Sequence, residues 1–313
     1  MAVLLIGEID LKDTWFLQFI AELKKSMPNI DLRVFPDCGK LVDIEIALAW
    51  KPPLGAFVKF PNLKLIISLG AGVAHILKDP NLPQHIFIVR LVSPSQRLQM
   101  AEYVNLAVLF FQRRLLDYQQ LQEAQQWEYL PVSNAKSFIV GIMGLGAFGS
   151  TVAKRLRDNG LSVRGWSRTP KEIAGIDCFG GQEQFRLFLS KCRVLVCLLP
   201  ITSETENILN LDTFSALPQG AYLVNVGRGK HLVAADLLNA LDSGKLAGAF
   251  VDSFCTEPLS KDHPFWLHPK IIVTPHIAAA GIPSDLATEV INTINNFHNG
   301  QPLDNLVDIS RGY

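Results

Sequence analysis

Gly144, Gly146 and Gly149 are spaced G-x-G-x-x-G, where an apolar run, Phe138, Ile139 and Val140, gives way to helical periodicity. From Ala147 onward Val152, Ala153 and Leu156 share one face, with Lys154, Arg155 and Arg157 outside it. Strand, glycine turn and helix are the context in which this spacing binds a dinucleotide. Gly144 permits the tight turn, Gly146 lets the backbone approach a pyrophosphate, and Gly149 lets the helix pack against the strand. The helix N-terminus offers free N–H groups and partial positive charge to that phosphate. An acidic residue normally follows about 20 positions later and binds the adenosine ribose. Here the second strand, 161–166, ends in Ser167, Arg168 and Thr169. A carboxylate would repel a 2′-phosphate, whereas Arg168 can meet one bidentately and the two hydroxyls add donors. NADP is therefore expected in preference to NAD.

Apolar runs at 194–199, 221–226, 246–251 and 271–273 read as further strands, alternating with helical stretches at 183–189 and 234–241. The alternation predicts a parallel sheet covered on both faces, with ligands at the carboxyl ends of its strands. Pro200 opens a loop where cofactor can pass. Val226 leads into Gly227, Arg228 and Gly229, and Asp252 and His276 each stand just past a strand end.

The first ninety-odd residues read as a smaller α/β unit. Strands are expected at 3–6, 32–35, 46–50, 65–68 and 86–89, with a helix carrying Trp15, Phe16, Phe19, Ile20 and Leu23 on one face. Gly70, Ala71, Gly72 and Val73 follow a strand, and their N–H groups can form a concavity for a carboxylate. Trp50 and Lys51 at another strand end can line a substrate mouth. A helix over 97–113 is apolar around most of its circumference, as a helix buried between two bodies would be. A glutamine-rich polar helix over 117–126 follows it. The final helix, 286–297, has to return toward the first unit. Two domains are thus expected: 1–97 with 284–313 as a substrate-binding lid, and 98–283 as the NADP-binding domain.

A chain of 313 residues with 49% hydrophobic and 19% charged residues has a sizeable core, as two globular domains require. Its 29 basic and 29 acidic residues balance, without the basic footprint of a nucleic-acid binder. The five cysteines contain no C-x-x-C pair and read as reduced thiols, and no apolar run approaches membrane-spanning length. The first residues read as a strand in place of a signal peptide. A cytoplasmic protein is expected. His263, His268 and His276 lack metal-ligand spacing, so no metal site is expected.

Four ordered motifs carry a resemblance: NVGRG around Arg228, DSFCTEPL from Asp252, HPFW from His263, and TPHIA from Thr274. Together with the glycine turn and GAGV at Gly70, they resemble the D-isomer-specific 2-hydroxyacid dehydrogenases over the whole chain. AEYV after Met100, the Ser167–Thr169 turn, Trp50 and the terminal Arg311, Gly312 and Tyr313 look most like the branch that reduces glyoxylate and hydroxypyruvate. The resemblance implies a Rossmann-type doubly wound sheet with a flavodoxin-like lid, and a homodimer. It implies Arg228 as the arginine that binds the 2-oxo acid, His276 as acid/base, Glu257 as its carboxylate partner and Asp252 as the aspartate near the nicotinamide. The expected cofactor set is Gly144, Gly146, Ala147, Phe148, Gly149, Ser167, Arg168, Thr169, Pro200, Val226 and Asp252. The expected substrate set is Trp50, Gly70, Ala71, Gly72, Val73, Arg228 and His276. Two positions depart from the family pattern: Ala74 stands where Asp is usual after GAGV, and Ser253 where Val is common.

The chemistry agrees with those roles. Hydride arriving at a ketone carbon leaves negative charge on oxygen, which calls for a proton donor and a fixed cation. Histidine donates near neutral pH, and an adjacent carboxylate orients it and favours its protonated form. The alternatives are an NAD-dependent phosphoglycerate- or lactate-type dehydrogenase, or a dinucleotide-sensing binding protein of the same fold.

Overall fold

The computed structural model describes residues 2–132 and 134–313. The chain opens with β1 (Ala2–Gly7), α1 (Thr14–Ser26), β2 (Asp31–Val34), β3 (Ile44–Trp50), β4 (Leu65–Ser68), α2 (Ala74–Leu77) and β5 (Phe87–Arg90). These strands form a parallel sheet in the order β2-β1-β3-β4-β5, the flavodoxin-like order. Asp13 caps α1 by accepting from the Trp15 N–H, and Lys24 and Lys25 complement its C-terminal dipole.

Next come α3 (Pro94–Gln112), α4 (Leu115–Glu123), β6 (Val140–Met143), α5 (Ala147–Asp158), β7 (Val163–Ser167), β8 (Asp177–Gly180), α6 (Phe185–Leu189) and β9 (Val194–Cys197). The chain continues through α7 (Leu211–Ala216), β10 (Ala221–Asn225), α8 (Ala234–Asp242), β11 (Leu246–Val251), β12 (Ile271–Val273) and α9 (Pro283–His298). The second sheet is parallel throughout, in the order β12-β11-β10-β9-β6-β7-β8. Alternate side chains fill two layers. Val140, Ile142 and Val196 pack with Val104 of α3 and Val152 and Leu156 of α5. Met143, Leu195 and Leu223 pack with Phe188 of α6 and Leu237 of α8. Both faces are therefore covered, as a parallel sheet requires. The doubly wound α/β fold expected from the sequence is the fold observed.

The chain divides into two compact units, Met1–Gln96 with Gly281–Tyr313, and Arg97–Ala280. In the first unit α9 packs its Leu286, Val290 and Ile294 with Phe19 and Leu23 of α1. No helix among the described residues is long and apolar enough to cross a membrane.

Several elements differ from expectation. The helix expected from 97 begins at Pro94, because Ser93 and Gln96 form a reciprocal cap: the Gln96 N–H donates to Ser93 Oγ, and the Ser93 N–H to Gln96 Oε1. The polar helix expected at 117–126 runs from Leu115 to Glu123. It starts after Arg114, whose backbone is left-handed (φ 58°) and whose guanidinium pairs with Asp117. β8, an edge strand with the exposure pattern of its Asp-Cys-Phe-Gly sequence, and the short α7, capped by Asn210, carry no strong periodicity and were not expected.

Candidate active site

All strands of the second sheet are parallel, so the turns after β6, β9, β10, β11 and β12 lie along one edge. β6 has β7 on one side and β9 on the other, which makes the glycine turn after it the topological switch point. Gly144 adopts φ +98°, and a Cβ there would lie 2.8 Å from the Leu198 carbonyl oxygen. At Gly149 a Cβ would lie 1.7 Å from the Gly144 carbonyl oxygen, so only glycine seats α5 on the turn. Above Gly146 no heavy atom lies within 4 Å of a Cβ position, and no side chain caps the N-terminus of α5. Open space over uncapped N–H groups fits a pyrophosphate.

Beyond β7, the Ser167 hydroxyl donates to the Thr169 carbonyl at 2.7 Å. This hydrogen bond shapes the turn on which Arg168 stands. Arg168 is partly exposed and faces Glu204 of the loop after β9 at 3.7 Å. Lys171, absent from the expected set, donates to the Leu145 carbonyl at 2.7 Å and brings a second cation to the glycine turn. Its place three residues after Arg168 was the available signal.

Pro200 leaves β9, and its carbonyl accepts from Thr205 Oγ1 (2.7 Å) and His231 Nε2 (3.2 Å). Val226 is buried at the end of β10 and donates its N–H to the Cys197 carbonyl. Arg228 follows, with Nη1 donating to the Gly227 carbonyl at 2.7 Å. Burial lowers the Arg228 pKa from its ordinary value, and the charge of Glu257 opposes that shift. The next residue, Gly229, has no room for a side chain: a Cβ would lie 1.9 Å from the Phe254 carbonyl carbon. That close approach sets the Arg228 turn against the segment that carries Glu257.

His276 Nδ1 meets both Glu257 oxygens, at 3.0 and 2.9 Å, and Glu257 Oε1 also accepts the Phe254 N–H at 3.0 Å. With Nδ1–H donating to Glu257, Nε2 is the nitrogen able to exchange a proton. His276 has a left-handed backbone (φ 57°), an uncommon conformation for a non-glycine residue. Asp252 holds this segment in place. Its buried carboxylate accepts from Thr274 Oγ1 (2.6 Å), the Ile277 N–H (2.8 Å) and the Ala278 N–H (3.0 Å). Tyr103 of α3 completes the chain at Thr274. Neither the anchoring by Asp252 nor the part of Tyr103 was expected.

In the first unit, Trp50 ends β3 and its ring lies over Gly70, where a Cβ would come within 2.8 Å of it. Ser68 Oγ donates to the Gly72 carbonyl at 3.0 Å and bends the loop. Among the described residues no acceptor meets the N–H groups of Gly70, Ala71, Gly72 or Val73. The loop thus keeps the free donors that an anion cradle needs.

The doubly wound sheet, the glycine turn at its switch point and the His–Glu pair on the same edge define a dinucleotide-dependent oxidoreductase site. The profile of the D-isomer specific 2-hydroxyacid dehydrogenase NAD-binding domain matches residues 106–278, and the chain belongs to this family. It is similar to glyoxylate/hydroxypyruvate reductase A of Photorhabdus laumondii, 41% identical over 302 residues covering 95% of this chain and 96% of the relative. The enzyme of the same name from Yersinia enterocolitica is 39% identical with the same coverage. A D-isomer specific 2-hydroxyacid dehydrogenase from Xanthobacter autotrophicus, crystallised with NADPH and MES, superposes with a TM-score of 0.93 at 36% identity, over 100% of this chain and 99% of that one. An NADPH-dependent glyoxylate/hydroxypyruvate reductase from Sinorhizobium meliloti, in complex with NADP and sulfate, has a TM-score of 0.90 at 33% identity with the same coverage.

Proposed function

We propose that this protein is an NADPH-dependent reductase of short 2-oxo acids, converting glyoxylate and hydroxypyruvate to glycolate and D-glycerate. The observation that carries the reading is the His276–Glu257 pair beside Arg228, on the sheet edge that also holds the glycine turn. The fit to NADP rests on the open space at Gly146 and on Arg168 and Lys171 standing where a ribose-binding acid is usual. When bound, the cofactor supplies the hydride that reduces the 2-oxo carbon.

The remaining work falls to the protein. Arg228 binds the 2-oxo acid and polarises its carbonyl with a charge that is never lost at working pH. His276 delivers a proton from Nε2 to the oxygen where negative charge develops, while Glu257 holds Nδ1–H and stabilises the imidazolium. The N–H groups of Gly70–Val73 receive the substrate carboxylate, and Trp50 limits substrate length. Met1–Gln96 with Gly281–Tyr313 is accordingly the substrate-binding unit, and Arg97–Ala280 the NADP(H)-binding unit.

A homodimer is part of the reading. Its support is a polar segment carrying two exposed aromatic rings, Trp127 and Tyr129, beside a groove lined by Tyr118, Leu121 and Gln122. The compartment proposed is the cytoplasm, in keeping with five unpaired cysteines.

The test is NADPH oxidation followed at saturating cofactor with glyoxylate, hydroxypyruvate, phenylpyruvate and 2-oxoisocaproate, repeated with NADH. Enzyme-like turnover of the two short acids with NADPH is expected. Absence of turnover, or a preference for the bulky acids, overturns the reading.

A further inference from the structure

His231 lies three residues beyond Arg228, is fully buried and has no place in the chemistry above. Both of its ring nitrogens are engaged by backbone groups of fixed polarity. Nδ1 lies 2.9 Å from the Arg228 nitrogen, which can only donate, so Nδ1 carries a lone pair. Nε2 lies 3.2 Å from the Pro200 carbonyl oxygen, which can only accept, so Nε2 carries the proton. The two hydrogen bonds demand the same neutral tautomer and exclude the imidazolium. Gly227 keeps room for the ring, since a Cβ there would lie 2.8 Å from Nδ1. The third neighbour, Cys197 Sγ at 3.6 Å, is a buried thiol whose pKa is pushed up to about 12 by desolvation, so it adds no charge.

We propose that His231 is a positioning residue that joins the substrate side of the site to the cofactor side, holding the Arg228 backbone with one ring nitrogen and the Pro200 loop with the other. The proposal rests on the reading of Arg228 as substrate-binding and of the Pro200 loop as cofactor-binding. The main chain around His231 is pinned independently of the ring. Leu209 donates to the His231 carbonyl at 2.8 Å, and Val233 donates to the Leu209 carbonyl at 3.0 Å. Removal of the ring is therefore felt first by the two loops.

Two amide substitutions separate the two hydrogen bonds. In His231→Asn, Oδ1 stands where Nδ1 accepts, which preserves the bond from the Arg228 N–H and leaves the Pro200 carbonyl without its ring donor. In His231→Gln, Nε2 reaches the Pro200 carbonyl, and the Arg228 N–H is left without its acceptor. Each variant should lose on the order of 2–10-fold, the worth of one neutral hydrogen bond. His231→Asn should show that loss in NADPH Kd with glyoxylate KM nearly unchanged, and His231→Gln should show the reverse. Equal changes in both parameters for both variants, tracking a fall in Tm, would mean that the ring only stabilises the fold and would overturn the proposal. Imidazole ¹⁵N NMR of the full-length protein, with the His231 signal identified by its disappearance in His231→Gln, should show Nε2 protonated and Nδ1 bare at neutral pH. A protonated Nδ1 also overturns it. If the wild type reduces neither 2-oxo acid, the functional reading fails on its own, while NADPH Kd and the tautomer still decide the role of His231.

Discussion

The Tyr103 hydroxyl lies 2.5 Å from Thr274 Oγ1, across 171 residues of sequence. Thr274 has one proton and gives it to Asp252, so Tyr103 must be the donor in this pair. Burial pushes the Tyr103 pKa up to about 12, and the nearby Asp252 adds to the shift. The hydroxyl therefore keeps its proton throughout the working range. The helix α3 thereby fixes the segment that presents His276.

Tyr103→Phe removes that donor and leaves the Thr274–Asp252 bond in place. A loss of about 1–2 kcal/mol in urea denaturation is expected for one buried hydrogen bond. The expected fall in kcat is under about tenfold, with NADPH Kd unchanged. Thr274→Val should cost more on both measures, because it also takes a donor from the buried Asp252 carboxylate. Equal effects of the two substitutions would contradict the order of the chain.

On the proposed function, Arg168 and Glu204 should act on cofactor choice in opposite senses. Arg168→Ala should weaken NADPH binding by about 1.5–3 kcal/mol, the range for a charge-assisted hydrogen bond, and leave NADH nearly unaffected. Glu204 faces the same guanidinium at 3.7 Å, so on the proposed function it would compete with a 2′-phosphate. Glu204→Gln should tighten NADPH by a few tenths of a kcal/mol, as expected for an exposed pair. Titration of both variants with both cofactors checks this. Equal losses for NADPH and NADH in Arg168→Ala would remove Arg168 from the 2′-phosphate site.

Most strands of both sheets were legible because buried parallel strands are written as uninterrupted apolar runs. β9, β10 and β11 are all of this kind. β8 was not legible, since an edge strand of four residues with one buried position has almost no pattern to read. The start of α3 was written in the sequence as Ser93-Pro94-Ser95-Gln96, a cap with proline at the first helical position, but the apolar run beginning later masked it. At the site, the glycine turn could be read locally because strand, turn and helix are contiguous. The His276–Glu257 pair joins residues 19 apart and became readable only through the resemblance. Tyr103, Lys171 and His231 contribute through one or two hydrogen bonds with distant backbone or side-chain groups, and no spacing rule announces such bonds.

The neutral state of His231 also links stability to pH. Desolvation, with Arg228 as a like charge, lowers its pKa from 6.5 to about 4, against the opposing hydrogen bond to the Pro200 carbonyl. Between these two values the unfolded chain binds the proton and the folded chain does not, so stability rises with pH across that window. The contribution is complete above about 6.5 and is lost as pH falls through 4. Urea denaturation at pH 7 and pH 4.5 should therefore show wild type losing roughly 2–3 kcal/mol more than His231→Gln over the interval. Parallel losses in the two proteins would show that the ring is not held neutral.

His276 and Glu257 carry the last prediction. General acid catalysis contributes about 10²–10⁴-fold, so His276→Asn should lower kcat for glyoxylate reduction by that factor and leave NADPH Kd nearly intact. Glu257→Gln keeps a hydrogen-bonding side chain opposite Nδ1 but removes the negative charge that stabilises the imidazolium. Reduction needs the protonated ring, so activity on the basic side should disappear at a lower pH in this variant than in wild type. The acceptor for the Phe254 N–H is retained, so the segment from Asp252 to Pro258 should keep its course. The kcat/KM profile for glyoxylate from pH 5 to 10 on both proteins reads the shift directly. A basic limb that stays in place would show that Glu257 only orients the ring, and near-normal turnover in His276→Asn would remove the histidine from proton transfer.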